Sequence, residues 1–183
     1  MSSLAEIIPD ARATPWWRGA LAKRWAMCLG LAFFVISLPS LREWGRHHAI
    51  VINASDSLPN YAFFVNVGVL PKKGQFVMFD PPKSEVVRVH FGEHPPAFGK
   101  LVLGTEGDLV SHVGRSVFIN GELVATMKPL TRKGLPLFEG PVGRIPKGCF
   151  YAGSHHKDGL DSRYAQIGFV CADRVMGTGE PIL

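Results

Sequence analysis

One apolar membrane-crossing helix followed by a mainly β body is the architecture this sequence predicts, on three observations. An uncharged run, WAMCLGLAFFVISLPSL, fills residues 25–41. After residue 45 helical periodicity is nearly absent, and short apolar runs alternate with turn residues. Gly 20 and Pro 14 among 183 residues supply many turns, which suits short strands better than a helical bundle. The length matches one compact domain plus an anchor.

The apolar run lies at the lower limit of about 17–20 residues for crossing a bilayer. Gly19, Ala20, Leu21 and Ala22 extend it if Lys23 and Arg24 snorkel to the headgroups. Trp16, Trp17 and Trp25 on one side and Trp44 on the other match interfacial aromatic belts. The following PSLREWGRHH has no small-x-small cleavage pattern, so an uncleaved signal anchor over residues 20–41 is expected. Arg12, Arg18, Lys23 and Arg24 precede the span, and only Arg42 and Arg46 follow closely. That bias places residues 1–19 in the cytoplasm and residues 42–183 outside. The expectation is a single-pass protein of a bacterial inner membrane, with the lipid bilayer as partner and the body in the periplasm.

The net charge of +5 comes from scattered basic residues rather than a basic run interleaved with aromatics, so nucleic acid is not an expected partner. Hydrophobic residues at 46% and charged residues at 19% exclude a disordered chain. Cys28, Cys149 and Cys171 form no C-x-x-C pair. Cys149 and Cys171 are free to pair if the domain is exported, and the sequence leaves open whether their strands meet.

In the body, REWGRHH reads as a short polar link. AIVINA, YAFFVNV, GQFVMF and FGKLVLG read as strands, EVVRVHF as a half-buried strand by its alternation, and CFYAG and AQIGFV as the last two strands. SVFINGELVA places Asn120-Gly121 between apolar segments, a hairpin signal.

Three segments carry candidate chemistry. In NASDSLPNY (residues 53–61), Ser57 follows an apolar strand and precedes Pro59, a position for an exposed turn. In GKLVLGTEGD (residues 99–108), Lys100 opens an apolar run, where an ammonium is partly desolvated. GLDSRY (residues 159–164) is the third. The histidines suggest no metal site: Pro95-Pro96 and the alternation before them argue against a helix bearing His90 and His94, and the adjacent pairs His47-His48 and His155-His156 would face opposite ways on a strand. No metal or cofactor is expected.

In this order, behind an N-terminal anchor, the segments resemble the boxes of bacterial signal peptidase I. They stand here as Ser55-Asp56-Ser57-Leu58-Pro59, as Lys100-Leu101-Val102-Leu103-Gly104-Thr105-Glu106-Gly107-Asp108, and as Gly153 followed by Asp161-Ser162-Arg163-Tyr164. Ile145-Pro146-Lys147-Gly148 is similar to the family's Val-Pro-x-Gly, and the resemblance covers roughly residues 25–170. The compact body and short Ser-Leu-Pro box are most similar to the TraF-type branch, which matures pilins for conjugative transfer.

The resemblance implies a signal-peptidase-like β-sheet catalytic domain and a serine endopeptidase. Ser57 would be nucleophile and Lys100 general base, with the Ser55 hydroxyl and the Ser57 N–H forming the oxyanion hole. Leu58 and Phe98 would shape a shallow pocket for small side chains, and Asp161, Ser162 and Arg163 would hold the third box beside the site. The implied partners are a prepilin or preprotein substrate and other proteins of the conjugation apparatus, and cyclisation of the cleaved pilin is a further outcome that no residue distinguishes. A neutral lysine is a competent base if apolar burial lowers its pKa, and Phe98, Val102, Leu103 and Val65 are candidates for that environment. The sequence departs from the family twice. Gly159 stands where a serine contacts the lysine, and Gly153-Ser154-His155-His156 replaces Gly-Asp-Asn, so what positions Lys100 is left open. The competing readings are a general signal peptidase, an inactive membrane-anchored assembly protein, and a triad with His155 or His156 as base.

Overall fold

The computed structural model describes residues 19–53 and 58–182. Two units are distinct, divided between Trp44 and Gly45. The first is helical. Helix α1, Ala20–His47, has an 18-residue window of mean hydropathy 1.6, is wholly unburied, and is long and apolar enough to cross a membrane. It runs through Pro39 and takes in REWGRH of the expected polar link, whose last residue, His48, opens the first strand, so the link is helical and not a separate connection. Residues 1–18, with Arg12, Arg18, Trp16 and Trp17 of the expected cytoplasmic segment, lie outside the described residues.

The second unit is mainly β. Its strands are β1 His48–Ile52, β2 Ala62–Val67, β3 Phe76–Phe79, β4 Phe98–Gly104, β5 Leu109–Val113, β6 Ser116–Ile119, β7 Glu122–Thr126, β8 Gly143–Arg144, β9 Cys149–Gly153, β10 Val170–Cys171 and β11 Val175–Pro181. An antiparallel sheet takes the order β1-β2-β11-β3-β4-β9-β10, and a smaller one the order β7-β6-β5-β8. Strand β4 buries every second residue, the period that sends alternate side chains to opposite faces. One face carries Phe98, Val102, Val77 and Ala152 into a core with Val170. A second core, around Val110, Ile119, Ile145 and Tyr151, fills in beside the small sheet. Asn120 (φ 52°) and Gly121 (φ 86°) form the expected hairpin turn between β6 and β7, both left-handed as a tight two-residue connection requires.

Three expectations are corrected. EVVRVHF is not a strand but helix α2, Glu85–Phe91. Ser84 caps it, its Oγ accepting from the Val87 N–H, and Glu85 occupies the first turn, so local capping outweighs the apparent alternation. AQIGFV contributes only Val170 to a strand, because Tyr164 accepts backbone bonds from Ile167 and Gly168 and closes a turn there. The last strand is instead β11, inserted between β2 and β3. Its Gly177 is required by close approach, since a Cβ there would stand 2.2 Å from the Asn66 carbonyl oxygen.

Cys149 and Cys171 are register partners on β9 and β10 and form a disulfide across 22 residues of sequence. The loop so closed contains Asp161 and Arg163. Replacing both cysteines by alanine is expected to lower unfolding free energy by about 2–4 kcal/mol, as for a loop of this size. Urea denaturation of the variant against the oxidised protein measures it, and a difference below about 1 kcal/mol would contradict the assignment of the bond as a staple.

Candidate active site

Lys100 occupies the third position of β4, where alternation turns it to the same face as Phe98 and Val102. It is 5% exposed, and its register partner on β3 is the fully buried Val77. Burial lowers the pKa of its amine from the ordinary lysine range; Asp161 opposes that shift, and Arg163 adds to it. Burial of this kind disfavours the charged ammonium relative to the neutral amine. Of the four residues considered as its apolar surroundings, Phe98 and Val102 pack in the same core as its register partner Val77. Leu103 alternates to the second core, and Val65 packs with Leu58, Phe63 and Met78.

The third box is buried beside it. Arg163 donates from Nε to Asp161 Oδ1 at 2.8 Å and from Nη2 to Oδ2 at 2.9 Å, and both residues are almost wholly excluded from solvent. The Arg163 backbone N–H also donates to Asp161 Oδ1, and the guanidinium donates to the Thr126 and Ser154 carbonyls. Ser162 is tied to β9 twice, its N–H donating to the Ala152 carbonyl and its Oγ accepting from the Ala152 N–H. The pair is thus bidentate, buried and surrounded by further hydrogen bonds, which offset part of the desolvation of both partners.

A cavity of about 670 Å³ opens at Lys100. It is lined by Ile50 and Ile52 of β1, by His90 and Phe91 of α2, and by Phe98 and Gly159. Leu58 is not among its lining residues. It is 8% exposed and packs beside Gly99, where a Cβ would stand 3.3 Å from its Cδ1. Asn53 pinches the strand end before this point, its Nδ2 donating to the Leu58 and Asn60 carbonyls at 3.1 and 2.9 Å. Ser55 and Ser57 fall in the sequence interval between Asn53 and Leu58 and lie outside the described residues.

His156 also lines the cavity. Its Nδ1 accepts from the Asp158 N–H at 3.2 Å. His90 is held below the usual imidazole range by burial and by Lys133. Among the described residues no cluster of three or more His, Cys, Asp or Glu side chains forms a metal site. The sequence reading missed the α2 wall of the cavity, and the signal for it was Ser84-Glu85 after Pro81-Pro82, a helix start.

The family model for signal peptidase, peptidase S26, matches residues 22–183. The chain belongs to this family. A solved structure of a signal peptidase I from Enterococcus faecalis is similar at 20% identity over 60% of this chain and 96% of that chain, with a TM-score of 0.38. The comparison with curated proteins returned no match. Family membership makes the chain a serine-type peptidase acting on preproteins, and it agrees with the resemblance that the Ser57, Lys100 and Asp161 segments carry.

Proposed function

We propose that this S26 peptidase is a membrane-anchored serine endopeptidase in which Ser57 attacks the scissile carbonyl and Lys100 takes its proton, and that its substrate is a membrane-inserted prepilin of a conjugation system. The observation that carries the catalytic part is Lys100, a buried lysine of lowered pKa that lines a largely apolar cavity. Ser57 is the sequence neighbour of Leu58, whose side chain packs beside Gly99, the neighbour of Lys100. As the serine oxygen bonds to the carbonyl carbon, its proton passes to the lysine nitrogen, and the oxyanion takes hydrogen bonds from the Ser55 hydroxyl and the Ser57 N–H. The lysine then protonates the departing amine, and water or a second amine resolves the ester on Ser57.

Strand β1 lies at the sheet edge, with Ile50 and Ile52 exposed and lining the cavity. An extended substrate would pair with that edge and bring its small side chains to Phe98. Helix α1 would be the anchor, with Lys23 and Arg24 on the cytoplasmic side and the body in the periplasm of a bacterial inner membrane. The Cys149–Cys171 disulfide suits that oxidising compartment. Division into residues 1–19, 20–41 and 42–183 is part of the same proposal.

The short Ser55–Pro59 box and small body support the prepilin reading. The family description, signal peptidase, favours a second reading, removal of signal peptides from exported proteins in general. Mass spectrometry after incubating the detergent-solubilised protein with a prepilin and with an unrelated preprotein separates them. The proposal expects cleavage of the prepilin alone; equal cleavage of both identifies a general signal peptidase, and cleavage of neither contradicts both readings.

A further inference from the structure

Strands β4 and β9 run antiparallel, pairing Val102 with Ala152 and Leu101 with Gly153. Extended one residue past the end of β9, this register would set Ser154 opposite Lys100. Side chains so opposed share one face, with Cβ atoms about 4.5–5.5 Å apart. Ser154 is 1% exposed. Its N–H donates to Asp161 Oδ2 at 3.1 Å and its Oγ–H to the same oxygen at 3.3 Å. A carboxylate only accepts, so the hydroxyl hydrogen is committed to Asp161 and the Oγ lone pairs are what remains to offer. The serine also fills a specific gap, for a Cβ on Gly159 would stand 2.2 Å from Ser154 Oγ. A side chain at residue 159, which lines the same cavity as Lys100, would meet the Ser154 hydroxyl first and then Asp161 Oδ2 at 2.9 Å.

We propose that Ser154 is the positioning residue for Lys100, its Oγ accepting one N–H of the neutral amine and so directing the nitrogen lone pair toward the Ser57 hydroxyl. The inference rests on the Ser57–Lys100 reading above. A neutral amine has two N–H donors and one lone pair, and rotation about Cε–Nζ aims that lone pair in three directions unless an N–H is held. Asp161 fixes the Ser154 hydroxyl, and Arg163 fixes Asp161 and the Ser154 carbonyl, so the orientation is passed from a rigid buried pair to the base. The other charged and titratable groups that line the same cavity are Asp158, Lys128, Arg132, His90, His156 and Tyr164.

Steady-state kinetics on a peptide substrate from pH 5 to 10 tests this with Ser154→Ala, Gly159→Ala and Lys100→Ala. Ser154→Ala is expected to lower kcat by about 10–100-fold with KM unchanged, the scale of loss when a reacting group is misaimed. The acid limb of its kcat/KM profile is expected to move, because the amine has lost a partner. Gly159→Ala keeps the serine but displaces its hydroxyl, and the same two changes are expected. It also serves if Ser154→Ala does not fold. Wild-type kcat in Ser154→Ala, or a loss with the limb unmoved, assigns Ser154 a structural role and overturns the proposal. If Lys100→Ala is inactive while Ser154→Ala is unimpaired, only this inference fails. If Lys100→Ala stays active, the Ser57–Lys100 reading fails and this inference with it.

Discussion

Lys100→Arg, Lys100→Ala and Ser57→Ala are each expected to lower peptide cleavage by about 10⁴-fold or more, the scale of loss when a nucleophile or its base is removed. The arginine variant is the most informative of the three. It retains a long cationic side chain, yet a guanidinium does not deprotonate in the working range and accepts no proton from serine. The same account sets the pH dependence. Burial lowers the Lys100 pKa, so the neutral, active form is populated from below the ordinary lysine range upward. As pH falls through that lowered pKa the amine takes a proton and kcat/KM falls with it. A pH–rate profile of the wild-type enzyme reads the limb directly. Full activity in Lys100→Arg, or no acid limb above the carboxylate range, would contradict the role given to Lys100.

The second large effect is on stability. Asp161→Ala or Arg163→Ala leaves an uncompensated charge in a site where the two residues are 0% and 2% exposed. Loss of one partner of such a pair costs about 3–5 kcal/mol. Much of that cost is the stranded charge, so the double replacement Asp161→Leu with Arg163→Met should recover part of it. Urea denaturation of the singles and the double measures both quantities. The expected order is wild type, then the double, then the singles; singles within about 1 kcal/mol of wild type would mean that water reaches the pair.

The fold was legible where local and tertiary preferences agree. The strand FGKLVLG and the Asn120-Gly121 turn carry their own signals, a short apolar run in one and a left-handed pair in the other. EVVRVHF misled because its valines fit either period, and the deciding information lay in the Ser84 cap before it. Strand β11 was invisible because Gly177 and Gly179, which weaken any strand signal, are there to admit Asn66 and Met78 of the flanking strands. That requirement exists only once the sheet has formed. Within the site, Lys100, Asp161 and Arg163 were named from sequence, and the structure brings them together. The proposed placement of Ser154 opposite Lys100 depends on the β4–β9 register, and the link between residues 154 and 159 appears only as the space one takes from the other. Neither could be read along the chain.

The most direct measurement of the central claim is the mass of the enzyme quenched during turnover of an activated ester substrate, followed by peptide mapping. The account predicts an acyl adduct on the peptide containing Ser57 in the wild-type enzyme, and its disappearance in Lys100→Ala. An adduct on any other residue, or one that forms undiminished without Lys100, would contradict it.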